Sequence, residues 1–454
     1  MDENENRADI EVDLKRAFED EAKVRNELLE RIGSAEKARA AGEEVDVVSL
    51  AQDYLTLALE AQEEDDYEKI DSWLQKTIRL LETVPFPTEE MVLLLAQAHL
   101  TCGIALNDQG MWTDALAEYD AAESRLAKLS DAGNLDARLD LAGVRLNIAT
   151  IKFELGEYDD SMAAFEKVKS DFASLFGTPK EDEAYYYLAK TYLQEAAVCR
   201  EMGDDEKGIQ RLEEGIALYR KMIERGDESQ SVDLAQALIL YAQTLECSGG
   251  KEADGLLPII DEAVARLQKG VGAGRADVCP DLLEVSVMKG RLLDYLDRFE
   301  DADAFLTETA EIFEGVQDTD DPEALLTLVS LHDYRGKARD ALGKKEEALA
   351  DFTAAVEIAR RLPADFFEPH EHGHEHHGEG CGCGHLHVLQ AEGLLALFSV
   401  YVDRAKALCQ AGRIEEARQD SSEVARILSC VEEYLGDDYQ SYKDIYDALE
   451  KSLE

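Results

Sequence analysis

Basic residues are scarce in this chain: 47 Lys and Arg stand against 99 Asp and Glu, a net charge of −52. A surface of that sign repels phosphate backbones and anionic headgroups, so neither nucleic acid nor a membrane is expected as a partner. No Pro, Gly or Ser-rich linker divides the 454 residues into the two or three domains their number ordinarily implies. The opening MDENENRADIEVDLK has neither a basic start nor an apolar run, and no other segment approaches a membrane-spanning length; a cytoplasmic protein without a secretory signal is expected. Disulfide-like spacing is missing among Cys102, Cys199, Cys247, Cys279, Cys409 and Cys430, which predicts buried free thiols in a reducing compartment. There is no phosphate-cradling glycine loop and no nucleophile elbow, and among so many carboxylates an acidic pair carries no specificity. A non-enzymatic protein is expected.

What the chain does have is a turn that recurs eight times, at Asp65, Gly110, Gly156, Gly203, Gly250, Asp297, Gly343 and Gly412. The steps between them are 45, 46, 47, 47, 47, 46 and 69 residues. So constant a period means one supersecondary unit stacked many times. Runs such as EEMVLLLAQAHLTCGIALNDQG before a turn and WTDALAEYDAAESRLAKL after it, with apolar residues three or four apart, make each unit a pair of antiparallel helices. Seven places before the turn stand Ala58, Gly103, Ala149, Ala196, Gln243, Gly290, Gly336 and Ala405; five places after it stand Ile70, Ala115, Ser161, Gly208, Gly255, Ala302, Ala348 and Ala417. These two small columns are expected to face each other and let the helices cross closely. A large residue nine places after the turn (Leu74, Tyr119, Phe165, Leu212, Ile259, Leu306, Phe352) is expected to fill the gap between neighbouring pairs.

These columns, with an aromatic two places after the turn at Tyr67, Trp112, Tyr158 and Phe299, resemble the tetratricopeptide repeat. The resemblance covers roughly Val45 to Leu435 and implies an all-α fold, an α-α superhelix of about eight long hairpins. It departs from the family in a longer period and in the missing proline that commonly closes a repeat. Residues 1–44 are expected to hold an acidic capping helix and 436–454 a second one, covering the apolar ends of the 45–435 solenoid.

The resemblance also implies a function: the first helices of successive repeats line a concave face that binds a partner protein or peptide. Nine places before each turn stand Thr56, Thr101, Asn147, Gln194, Tyr241, Met288, Tyr334 and Asp403. Asn147 and Lys190 stand where some family members hold a partner's terminal carboxylates, but Gln194 replaces an arginine of that clamp and Leu100 and Ile104 fill two more of its places. The expected groove is therefore marked by Asn147, Lys190, Gln194, Tyr241 and Tyr334 without a carboxylate clamp. The excess of acidic charge also suits an acidic chaperone for a basic client.

The last step is 23 residues too long, matching the 23 residues from Asp365 to His387, DFFEPHEHGHEHHGEGCGCGHLH. This run holds His370, His372, His374, His376, His377, His385 and His387 together with Cys381 and Cys383. Its glycines and the nearby Pro363 and Pro369 predict a loop over 365–387. Imidazole and thiolate are donors that zinc and nickel accept, four complete a tetrahedral site, and nine are present, so exchangeable metal handling is expected rather than one rigid centre. The same composition also suits a solvated low-complexity loop. No cofactor is required by either reading.

Overall fold

A computed structural model describes residues 23–63, 66–249, 253–313, 321–363, 366 and 383–453. Among them there is no strand. The chain divides into two compact units, Met1–Val198 and Cys199–Glu454. In the first unit a helix over 23–40 (α1) is followed by α2 (Val47–Glu63), α3 (Tyr67–Glu82), α4 (Glu89–Asp108), α5 (Trp112–Asp131), α6 (Leu135–Glu154) and α7 (Tyr158–Ala173). Helix α8 (Glu181–Glu201) carries the boundary. The second unit continues with α9 (Asp205–Glu224), α10 (Ser231–Cys247), α11 (Ala253–Gly272), α12 (Cys279–Tyr295), α13 (Phe299–Phe313), α14 (Pro322–Ala341), α15 (Lys345–Ala359), α16 (Cys383–Gln410) and α17 (Ile414–Cys430). A short α18 (Glu432–Leu435) and a final α19 (Tyr439–Ser452) close it. The order is eight helix–turn–helix pairs, from α2/α3 to α16/α17, with a helix before and after.

The turns end each first helix in the same way. Gly110 takes φ 70°, its N–H bonds the Asn107 carbonyl at 2.8 Å, and the Met111 N–H reaches back to the Leu106 carbonyl at 2.9 Å. This is the Schellman closure, which needs a left-handed residue and therefore favours glycine. The pattern repeats at Gly156, Gly203, Gly343 and Gly412, and Asp297 adopts it at φ 55° without being glycine. Some starts carry side-chain caps: Thr88 accepts from the Met91 N–H, Asn134 from Ala137 and Asp204 from Lys207.

The fifth turn is a correction. Gly249, at φ 63° and with its N–H on the Glu246 carbonyl at 3.2 Å, takes there the place that Gly110 holds in its own turn; the expected Gly250 lies outside the described residues. Seven places before Gly249 stands Ala242, 1% exposed, which supplies the small residue that Gln243 does not. After the turn, Leu256 and Ile260 are buried where Gly255 and Ile259 were expected.

The small columns do face each other, since the Ser161 hydroxyl donates to the Ala149 carbonyl at 2.7 Å. The large column also packs within its own hairpin. A Cβ on Gly103 would lie 2.5 Å from Cε1 of Tyr119, one on Gly336 2.5 Å from Cε1 of Phe352, and one on Gly290 2.9 Å from the Leu306 methyls. The large residue thus seats on the small one across its own hairpin, and Tyr119 also reaches the next pair, where its hydroxyl meets Asn147 of α6 and its ring shares a core with Val144 and Ile151.

The ends are capped. Leu28 and Ile32 of α1 are buried, Arg31 donates to Asp53 on α2 at 2.7 Å, and the Tyr54 hydroxyl donates to Glu36 at 2.8 Å. The capping helix expected over 1–44 is described only from residue 23 onward. At the other end Leu449 of α19 is buried and Tyr442 meets Phe398 of α16 edge-on at 5.3 Å. Helix α4 is long and apolar enough to cross a membrane by composition, contrary to expectation; its Leu94, Ala98, Cys102 and Ala105 are core residues between α3 and α5. Of the six cysteines expected to be buried, only Cys102 and Cys199 are, while Cys247 is exposed and Cys279, Cys409 and Cys430 are half-buried; none is bonded to another.

Candidate partner-binding face

In the first unit Asn147 lies on α6 and Lys190 and Gln194 on α8, and two of the three are already engaged. Asn147 hydrogen-bonds the Tyr119 hydroxyl, and Gln194 accepts from Thr150 at 2.9 Å. Lys190 is exposed, with its ammonium 4.8 Å from the Tyr186 ring centroid. Beside it lies an aromatic cluster in which Tyr187 stacks on Phe172 at 5.7 Å and Phe176 meets Tyr185 at 4.7 Å. Asp140 of α6 is pushed up by desolvation, and one of its carboxylate oxygens has no hydrogen-bond partner.

In the second unit the face opens into a cavity of about 360 Å³, lined by residues of α12, α14 and α16, which are first helices of consecutive pairs. Met288 and Tyr334 of the sequence strip line it, together with Leu326, Glu284, Glu323 and Arg291. Tyr241 does not contribute. It is buried, and its hydroxyl donates to Glu213 on α9 at 2.7 Å. The one-residue slip at Gly249 explains this, because the strip position there is Leu240.

The edge of the cavity toward α10 is a ladder of polar bonds. Gln236 donates to Asp281 at 2.7 Å, Gln243 to Glu284 at 2.9 Å, and Arg291 to Glu246 at 2.6 Å. Glu284 keeps solvent contact through the cavity mouth, yet its pKa is raised: desolvation by the surrounding protein comes first, the bond from Gln243 opposes it, and the charges of Asp281 and Glu323 add to it. On the opposite side Gly393 of α16 brings the helix close; a Cβ there would lie 2.7 Å from Leu326 and 2.8 Å from Phe366.

Deeper toward the turns, Lys337 of α14 bonds Asp333 at 2.6 Å and Ser399 of α16 at 2.9 Å, with Asp403 at 3.7 Å. Burial is the main reason that Asp333 is pushed up to about 6, and the Asp403 charge reinforces it against Lys337. Sequence reasoning missed the Lys337–Asp333 pair, although Asp403 stood in the strip, and of the cavity it named only Met288 and Tyr334. The signal for the first was a Lys and an Asp one helical turn apart, with a second Asp on α16; the second depends on helix spacing that no single residue encodes.

The expected metal donors fall largely outside the described residues: His370, His372, His374, His376, His377 and Cys381 all do. Cys383, His385 and His387 lie in the first turns of α16, so the loop expected over 365–387 does not extend through 383–387; of the rest, only residue 366 is among the described residues. Among the described residues no group of three or more potential ligands converges.

No family model matches this chain, and no curated protein does. Solved structures similar to it include BtubC (BKLC) from P. vanneervenii, at 18% identity over 54% of this chain and 92% of that one, TM-score 0.42. The apo form of RapI is similar at 11% identity over 85% and 99%, TM-score 0.48. A STAND signal-transduction ATPase with a tetratricopeptide repeat sensor from Pyrococcus horikoshii is similar at 14% identity over 69% and 45%, TM-score 0.44.

Proposed function

We propose that this chain is a non-enzymatic scaffold that holds a partner protein or peptide along the face formed by the first helices of its hairpins. The observation that carries this reading is the cavity across α12, α14 and α16, where apolar side chains (Met288, Leu326, Tyr334) and a few polar groups converge on three consecutive repeats. Apolar walls with sparse polar groups are the ordinary composition of a binding site. A reducing, cytoplasmic setting fits cysteines that are unbonded to one another. A photo-crosslinking side chain at Thr327 or Ser330 tests the reading against the same group at Glu308 on α13. Partners captured at the first two positions and not at the third are expected. Capture at Glu308 alone defeats it.

A second reading, metal handling, rests on seven of the nine histidines lying between His370 and His387 with two cysteines among them. It is compatible with a scaffold, because the donors and the cavity are separate groups of residues.

A further inference from the structure

The cavity across α12, α14 and α16 carries a charge pattern that selects among partners. Glu284 and Glu323 both line it, and among the described residues neither is paired with a basic side chain. Arg291, the one cationic group in the lining, is already bonded to Glu246 at 2.6 Å and so offers little net positive charge. The two carboxylates are exposed, whereas Met288 and Leu326 of the lining are buried, with Tyr334 beside them. Two exposed acidic groups beside a buried apolar and aromatic lining fit one kind of side chain well: a long aliphatic stem ending in a cation, which buries its carbons while its charge meets carboxylates.

We propose that this cavity takes a lysine or arginine side chain of an extended basic segment of the partner, its charge beside Glu284 and Glu323 and its stem against Met288, Leu326 and Tyr334. This rests on the scaffold reading and deepens it by naming the partner's chemistry. Two further features favour a cation over an anionic or purely apolar occupant. Asp281 sits in the same polar ladder, so a third carboxylate stands close enough to Glu284 for its charge to act there. The charges of Asp281 and Glu323 also disfavour ionised Glu284, a repulsion that a bound cation relieves.

The test uses the full chain and fluorescein-labelled unstructured peptides of alternating serine and lysine, serine and leucine, or serine and glutamate, read by anisotropy at physiological salt. The double variant Glu284→Gln/Glu323→Gln keeps shape and keeps an acceptor for Gln243; it should weaken the lysine peptide about tenfold. The control Glu300→Gln/Glu311→Gln removes the same charge from exposed positions of α13 and should change it less than about twofold. Thr327→Trp, which fills the cavity, should weaken it as much as the first pair. Equal losses in the cavity and control pairs overturn the proposal, since the acidic surface as a whole would then be responsible. Tight binding of the leucine peptide, lost in Thr327→Trp and untouched by Glu284→Gln/Glu323→Gln, overturns the basic chemistry but leaves the scaffold reading. Peptides indifferent to all three variants, with thermal unfolding confirming folded protein, overturn both.

Discussion

The hairpins α4/α5 and α14/α15 are built on one plan and secured differently. In each, a glycine seven places before the turn receives an aromatic ring from nine places after it, Gly103 under Tyr119 and Gly336 under Phe352. Each also places a histidine eleven before the turn against a carboxylate eight after it: His99 Nδ1 lies 2.6 Å from Glu118, and His332 Nδ1 lies 3.5 Å from Asp351. There the likeness ends. Eight before the turn the first has Cys102, whose thiol burial pushes up to about 12, while the second has Arg335, bonded to Asp351 at 3.0 Å. Arg339 adds a bond to the other oxygen of Asp351 at 2.7 Å and one to Asp303 of α13 at 2.8 Å. The lesson is that the apolar crossing is dictated by the repeat, whereas the polar contacts beside it are written hairpin by hairpin. The same −8 and +8 places hold Arg404 and Asp420 at 2.8 Å in α16/α17, and Lys289 over the Phe305 ring at 4.0 Å in α12/α13.

The largest effect expected from this difference is at Asp351. Its side chain is 4% exposed and Asp351→Ala leaves two guanidinium groups without their carboxylate, a change that costs on the order of 3–5 kcal/mol. Glu118→Ala breaks a single, half-buried bond and should cost only about 1 kcal/mol. Guanidinium unfolding of both variants decides; equal losses would erase the distinction between the hairpins. The acid limb adds a check. Desolvation, the largest influence on Asp351, raises its pKa, but the bonds from His332 and Arg335 and the charges of Arg335 and Arg339 together leave it below the ordinary aspartate value. A lowered folded pKa means its contribution is complete above the ordinary range and disappears as pH falls through the folded value. Asp351→Asn should therefore flatten the acid limb. Asp333, pushed up to about 6 chiefly by burial, has the opposite sign: the folded state takes up its proton first, so stability gains as pH drops from 7 toward 5. Asp333→Asn should remove that gain.

Next in size is the shared crossing. Gly336→Ala places a methyl 2.5 Å from the Phe352 ring, and Ala348→Leu overfills a position with no exposed surface; each should cost about 1–3 kcal/mol. Gly103→Ala should cost about as much as Gly336→Ala, because this is the part the two hairpins have in common. A thermal scan in which Ala348→Leu melts with the parent would show the columns to be misaligned.

Those columns were legible because a left-handed turn residue is chemically conspicuous. Once Gly110, Gly156, Gly343 and Gly412 are aligned, the small and large positions follow by counting, and the hairpin pairing with them. Where two glycines are adjacent, at Gly249 and Gly250, either satisfies the turn and the count slips by one, which is why Gln243 and Tyr241 were assigned to columns that Ala242 and Leu240 occupy. The buried ion pairs were hidden for another reason. With 99 carboxylates in the chain, Asp351 and Asp420 look like any others until the turn alignment sets them in one column opposite Arg335 and Arg404. The cavity beside Tyr334 was only half legible: the strip named Met288 and Tyr334, but not that α12, α14 and α16 part enough there to leave a hollow.

The smallest effect on stability is expected where the count is broken altogether. Helix α16 begins at Cys383, so a deletion that spares the helix should remove 367–382 and not 365–387. Loop-closure entropy changes slowly with length, and this deletion should alter unfolding free energy by less than about 1 kcal/mol. It removes His370, His372, His374, His376, His377 and Cys381, six of the nine candidate donors, and leaves Cys383, His385 and His387. Calorimetric uptake of zinc or nickel should fall with those six, and in the parent it should weaken below about pH 6 as imidazoles protonate. Unchanged uptake in the deletion would move metal binding to the helical trio, which Cys383→Ser/His385→Ala/His387→Ala then tests. Unchanged uptake in both variants would reject the metal reading, while a deletion that fails to fold would show that the inserted run belongs to the repeat framework after all.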